Sequence, residues 1–216
     1  MQIESKGFNI SLNVIFVLLA VLTVFPVLLV FSISFTDQSA IAKFGYQLIP
    51  STFSLDAYRY IFSSGMGIGR AYGVTIFATV VGTAISVLVI ALYAYPLSRS
   101  GFLGKGALTF FIFFTMLFSG GMVSWYMIMT KVLKLSNTVW ALILPYAMNA
   151  WYVIIMRTFF QTSVPDALIE AAKIEGAGEF KILFRVVFPI SLPAIATIAL
   201  FQTLTYWNDW YNPMLL

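Results

Sequence analysis

Any chemistry in this 216-residue chain must be done without histidine or cysteine, since it contains neither. That removes disulfides, thiolate metal sites, the commonest metal ligand and the usual proton shuttle. Paired nucleophiles and bases of the Ser–His or Cys–His kind go with them, so neither a metal site nor covalent catalysis is expected. Gly65, Gly67 and Gly69 have the alternate spacing of a nucleotide loop, but no buried strand precedes them and they read as a loose linker. No phosphate-cradling GxxxxGK[ST] segment occurs, so no cofactor is expected on this chain. Recognition chemistry is what remains. Asn149, Trp151 and Tyr152 cluster in one uncharged stretch, and Tyr206 and Asn208 end another. An aromatic face suits the C–H surface of a pyranose and an amide suits its hydroxyls, which makes these five residues candidates for contact with a neutral polyhydroxylated solute. Two other readings fit as well: an interfacial belt for the rings, with Trp125, Tyr126, Trp207 and Trp210, and interhelical hydrogen bonding for Asn149, Gln202, Thr203, Thr205 and Asn208.

A second constellation lies between Val164 and Pro193. Pro165 followed by Asp166 is a helix start, and Ala167, Leu168, Glu170, Ala171, Ala172 and Lys173 favour helix until Gly176 interrupts it. A further helical run from Glu179 to Val187 leads to Pro189, with Phe180, Leu183, Phe184 and Val187 spaced as one apolar face. A polar, helix-capable segment with a central bend, set between two apolar runs, reads as something a partner grips.

The elements that must position these residues are membrane helices. Hydrophobic residues make up 61% of the chain and charged ones 9%, where a soluble domain carries about a quarter charged. Mean hydropathy is +0.94. Five uncharged windows, Gly7 to Thr36, Ala71 to Ser98, Gly106 to Thr130, Leu135 to Met156 and Val186 to Asn208, each exceed the roughly 20 residues that cross a bilayer. The expected fold is therefore an all-α, polytopic membrane helix bundle with five spans. The apolar run from Phe8 to Phe35 is too long for a cleaved signal core, despite the small residues Ala40-Ile41-Ala42, so a retained first span is expected. With the amino terminus inside, Lys6, Arg99, Lys105, Arg157, Lys173, Lys181 and Arg185 face the cytoplasm, seven against five outside: Lys43, Arg59, Arg70, Lys131 and Lys134. Residues 36–71 then form an extracytoplasmic loop and 158–188 a cytoplasmic one. The net charge of +4 is accounted for by basic residues flanking spans and calls for no nucleic acid. Asp209, adjoining the last window, reads as an outer-interface residue rather than a proton relay. The phenylalanines of the third window read as lipid contact and packing.

The interval Glu170-Ala171-Ala172, Gly176-Ala177, then Phe184, Val187, Pro189 and Pro193 resembles the EAA loop of the membrane subunits of bacterial ATP-binding-cassette importers. Leu92 to Arg99 with Phe102 and Gly104-Lys105, Leu135 to Pro145, Arg157-Thr158-Phe159-Phe160 and Trp207 to Trp210 extend the resemblance to the carbohydrate importers over nearly the whole chain. The resemblance implies a single permease domain over residues 1–216 of type I importer (MetI-like) fold, multi-pass in the cytoplasmic membrane of a bacterium. It implies a non-catalytic subunit carrying an oligosaccharide or polysaccharide by alternating access. The implied partners are a second permease subunit in a heterodimer, two ATPase subunits holding ATP and Mg, an extracytoplasmic solute-binding lipoprotein, the carbohydrate and membrane lipid. By the same resemblance Pro165, Asp166, Glu170, Ala171, Ala172, Gly176 and Ala177 couple the ATPase to the spans. The family has six spans, so a sixth is expected beyond Leu216. Phe118 to Tyr126 departs from the proline-containing segment of many relatives, leaving the end of the third span open. Rival readings are the same importer type for an amino acid, osmolyte or phosphate, an ion-coupled carrier or channel, and a membrane-bound enzyme. The EAA-type loop and the lack of buried acid–base pairs in the windows argue against the carrier, and the missing His and Cys against the enzyme.

Overall fold

A computed structural model describes residues 6–63 and 66–216 of the chain, which divides into two compact units, Met1–Arg70 and Ala71–Leu216. The first unit is dominated by α1 (Lys6–Ser34), a continuous helix whose apolar side chains, Phe16, Leu22, Val27 and Phe31 among them, are exposed as lipid contact requires. After it the backbone closes on itself. Thr36 bridges Phe53, Asp37 N–H donates to the Thr52 carbonyl at 3.1 Å, and Ser54 N–H donates to the Phe35 carbonyl at 2.9 Å. The Phe35 ring stacks on Phe53 at 5.5 Å and meets Tyr58 at 5.1 Å, which pins α3 (Asp56–Ser63) to the end of α1. Within the closed loop, Asp37 caps α2 (Gln38–Phe44) by accepting from the Ser39 amide at 2.8 Å. The Ser39 hydroxyl, then the amide, holds its carboxyl below the ordinary range.

The second unit is organised around α4 (Met66–Ser98), which begins in the first unit and supplies Ile90, Ala91, Ala94 and Leu97 to a core they share with Ile112, Met156, Phe160 and Ile198. Alanine at positions 91 and 94 lets neighbouring backbones approach closely, which is how membrane helices gain contact in the absence of a hydrophobic drive. Gly67 and Gly69 lie inside α4, so the expected loose linker is helix there; Gly65 lies outside the described residues.

The windows become spans of unequal kind. Two helices, Gly7–Ser34 and Gly67–Ser98, are long and apolar enough to cross a membrane alone, and across each of the other three windows the same test is met by a helix pair bent at a break. In the third, α5 (Lys105–Leu117) meets α6 (Gly121–Met127, continued by a π turn Ile128–Val132) at 117°. Gly121 there has φ +74°, so the sequence that departs from relatives makes a sharp corner at a left-handed residue. In the fourth, α7 (Trp140–Ile143) and a 3-10 turn Leu144–Tyr146 join α8 (Ala150–Ser163) at 53°, across Pro145 and an extended Asn149. After α9 (Asp166–Ile174), a segment made of α10 (Glu179–Ile182), a π turn Leu183–Val187 and α11 (Phe188–Ile190) leads into the fifth, where it meets α12 (Leu192–Trp207) and α13 (Tyr211–Leu215) at 86°. Pro189 and Pro193, one turn apart, each remove an N–H on either side of Ser191, which is why the helix breaks there.

Breaks free carbonyls, and in lipid each needs a donor. At the Pro145 break Tyr206 of α12 donates to the Ile143 carbonyl at 2.8 Å, and Ser86 of α4 donates to the Tyr146 carbonyl at 2.7 Å. Gln202 spans both, donating to Ser86 Oγ at 3.0 Å and to the Tyr146 carbonyl at 3.2 Å.

Candidate coupling site

The segment after α8 folds as its residue types dictate. Pro165 takes the N-cap position with extended backbone, and α9 starts at Asp166, whose carboxylate favours a helix N-terminus. The helix ends in a Schellman motif: Ala177 N–H bonds the Ala172 carbonyl at 2.9 Å and Gly176 N–H bonds that of Lys173 at 3.0 Å. Gly176 is the left-handed residue of that motif, with φ +78°. Ala172 and Ala177 are the pair this motif brings into apolar contact, and both pack against the core. The spacing Ala-Ala-x-x-x-Gly-Ala is thus the signature of one capped helix end.

Side chains that the sequence did not single out for this site tie α9 to the spans. Arg99, at the end of α4 and 13% exposed, donates from Nη1 to Asp166 at 3.1 Å, from Nη2 to the Phe160 carbonyl in the last turn of α8 at 3.0 Å, and from Nε to Ser98 at 2.9 Å. Its guanidinium lies 5.6 Å from the centre of the Tyr95 ring. Lys173 pairs with Glu179 Oε1 at 2.7 Å, while Tyr95 OH donates to Glu179 Oε2 at 2.7 Å. The Lys173 ammonium, then the Tyr95 hydroxyl, holds the Glu179 carboxyl below its ordinary range. Between these elements opens a cavity of about 760 Å³ lined by Tyr95, Arg99, Glu170, Lys173, Glu179 and Phe180 among others. Val164 and Ile169 are buried in the core beneath it. Glu170 is exposed at this cavity, on the same face of α9 as Asp166 and Lys173, and has no hydrogen-bond or ion-pair partner among the described residues, while Leu168, Ala171 and Ile174, outside the cavity lining, are exposed as well. An unpaired carboxylate at the mouth of this cavity is a group open to a charge-assisted hydrogen bond from another surface.

The proposed apolar face of the next run divides. Leu183 and Val187 are buried, but Phe180 and Phe184, on the flank of the same face, are exposed.

The candidate pathway residues are not gathered into one site. Asn149 caps α8, its side-chain oxygen accepting from Trp151 N–H at 2.9 Å and Tyr152 N–H at 3.4 Å. Trp151 is exposed, and Tyr152 stacks on Phe201 of α12 at 6.0 Å. Tyr206 is buried rather than part of a surface belt, and Asn208 donates to the Leu204 carbonyl of its own helix at 2.9 Å. Gln202 and Thr203 follow the interhelical reading, Thr203 meeting Thr83 at 3.3 Å, whereas Thr205 bonds the Phe201 carbonyl within α12. Asp209 accepts from Tyr146 OH at 3.2 Å and from Asn212 Nδ2 at 2.8 Å, which occupies it in holding α13.

Residues 87–210 match the family described as binding-protein-dependent transport system inner membrane component. The chain belongs to that family. This permease is 43% identical over 98% of its length to the polygalacturonan/rhamnogalacturonan transport system permease protein YtcP of Bacillus subtilis (strain 168), spanning 73% of that protein. It is 42% identical over 90% of its length to the protein LplC of the same organism, spanning 65% of it. Its fold superposes over the whole chain, with a TM-score of 0.89 and 29% identity, on 78% of a chain in the crystal structure of a bacterial ABC transporter involved in the import of the acidic polysaccharide alginate. The permease is accordingly a non-catalytic, all-helical inner-membrane component of an ABC import system, which works with an ATPase and a solute-binding protein.

Proposed function

We propose that this permease pairs with a second permease subunit to enclose a pathway for an oligosaccharide or polysaccharide, and that α9 is the element through which two ATPase subunits drive it. The supporting observation is the clamp behind α9. Asp166 is tied through Arg99 to α4 and α8, and Lys173 through Glu179 to Tyr95 of α4, while Glu170, between them on the same face of α9, lines the cavity unpaired. A displacement of α9 therefore moves two spans as a body, which alternating access requires. ATP and Mg sit on the ATPase subunits, α9 faces the cytoplasm, and the solute-binding lipoprotein docks on the opposite face. The polygalacturonan/rhamnogalacturonan and alginate systems among its relatives support a carbohydrate cargo.

The test is uptake of labelled oligosaccharide by cells carrying Glu170→Lys or Gly176→Asp. Both variants abolish uptake and leave the binding protein's affinity for free solute unchanged. Solute-stimulated ATPase at the parental level in either variant refutes the role assigned to α9.

A further inference from the structure

The twelve residues from Glu179 to Ile190 run at 86° to the Leu192–Leu215 segment that follows them. With α12 upright in the bilayer they lie along the membrane plane, about 18 Å long at 1.5 Å per residue. Their buried side, Ile182, Leu183 and Val187, belongs to the core of the second unit. The other side carries Lys181 and Arg185 one turn apart, both exposed and without an ion-pair or hydrogen-bond partner among the described residues. Beside them Phe184 is 43% exposed and packs edge-on against Phe188, with ring centres 5.0 Å apart. Cations in one stripe and aromatic rings in the next, on a helix parallel to the bilayer surface, are the features by which an amphipathic segment sits at the headgroup level.

We infer that the Glu179–Ile190 segment is an in-plane lipid-binding helix, with Lys181 and Arg185 holding the phosphates of anionic phospholipids and Phe184 and Phe188 seated beneath the headgroups. Charge complementarity selects this occupant. The cytoplasmic leaflet is negative, and each Lys or Arg near such a surface strengthens binding about fivefold. The inner leaflet as the site rests on the cytoplasmic placement of α9 proposed above. Because Glu179 opens this helix and also binds Lys173 of α9, lipid held along it restrains the same clamp that the ATPase moves.

The experiment uses the permease assembled with its partner subunits in nanodiscs of phosphatidylcholine, with or without phosphatidylglycerol. Both leaflets are then alike, so lipid contact is read independently of sidedness. Native mass spectrometry of the retained lipid should show enrichment of phosphatidylglycerol around the parent complex. The enrichment should fall about fivefold in Lys181→Gln or Arg185→Gln and roughly 30-fold in the double variant, and should be kept in Lys181→Arg with Arg185→Lys. Unchanged enrichment in the double variant overturns the inference. So does loss of ATPase subunits from the double variant with lipid enrichment intact, which would assign the stripe to protein docking. Sidedness is read separately, by labelling a cysteine at position 181 with an impermeant reagent in intact cells. Labelling there would overturn the cytoplasmic placement and leave the nanodisc result to stand or fall by itself.

Discussion

Gly82→Ala should destabilise the permease through a single ring. A Cβ added at Gly82 of α4 would lie 2.6 Å from Cζ, 2.7 Å from Cε1 and 2.9 Å from Cε2 of Tyr206. Ordinary carbon contact begins near 3.4 Å, so the ring or the helix must shift by about 0.8 Å. The ring is not free to give way, since Tyr206 is 4% exposed and its hydroxyl is anchored to the Ile143 carbonyl at 2.8 Å. Overpacking of this kind costs about 1–3 kcal/mol, and dragging the hydroxyl off a buried carbonyl adds about 1–3 kcal/mol. At about 2–4 °C per kcal/mol for a chain of this size, the melting point of the purified permease should fall by roughly 5–20 °C. The decisive measurement is a double-mutant cycle with Tyr206→Leu, which lacks the Cζ and Cε atoms that clash. Adding Gly82→Ala to Tyr206→Leu should cost far less than adding it to the parent. An unchanged melting point in Gly82→Ala, or strictly additive losses in the double variant, would refute the steric account.

Tyr206→Phe strips the Ile143 carbonyl of its hydroxyl donor and should cost about 1–3 kcal/mol, whereas Gln202→Leu leaves Ser86 on the Tyr146 carbonyl and should cost about 0.5–1 kcal/mol; thermal unfolding of the two variants side by side checks the order. The Glu179 carboxyl is held below its usual value of 4.5, so its contribution to the α9 clamp is present in full above about pH 4.5 and is lost as the pH falls through the lowered value. Melting curves of the parent and of Glu179→Gln should therefore be separated at neutral pH and converge in acid.

Much of this molecule was legible because membrane helices and capped helix ends leave strong local marks. Uncharged windows located the spans, and Pro165-Asp166 with Gly176 located both ends of α9. The bends were less legible. Pro145, Pro189 and Pro193 are visible in sequence, yet whether a proline kinks a span or breaks it depends on donors from other helices, and Ser86, Gln202 and Tyr206 come from α4 and α12. Phe180, Leu183, Phe184 and Val187 were read as one apolar face, and periodicity does not say how much of such a face meets protein: Leu183 and Val187 are buried while Phe180 and Phe184 are exposed. Arg99 was read as a basic residue at the end of a span. Its contacts with Phe160 and Asp166, 61 and 67 residues away, leave no local mark at all.

Polar side chains in the spans serve one economy at both ends of the bundle. At the Pro145 break, Tyr206 and Gln202 donate from α12 to carbonyls that the fourth span cannot satisfy itself, and at the end of that span Arg99 donates from α4 to the Phe160 carbonyl. Each bond substitutes a neighbouring helix for a missing backbone donor, so each break or end is also a joint between helices. Joints made this way resist separation, because parting them leaves a buried carbonyl without its donor, while the absence of a continuous backbone ladder still permits one segment to turn against the next. The fourth span is therefore held to α4 and α12 near its Pro145 break and to α4 at its end beside α9. If α9 moves, Arg99 carries the motion into α8 and α4 together, and the segment above the Pro145 break can respond differently from the segment below it. A permease that must open alternately to two sides needs that division within a span, and here it falls where the sequence placed a proline and the fold supplied the donors.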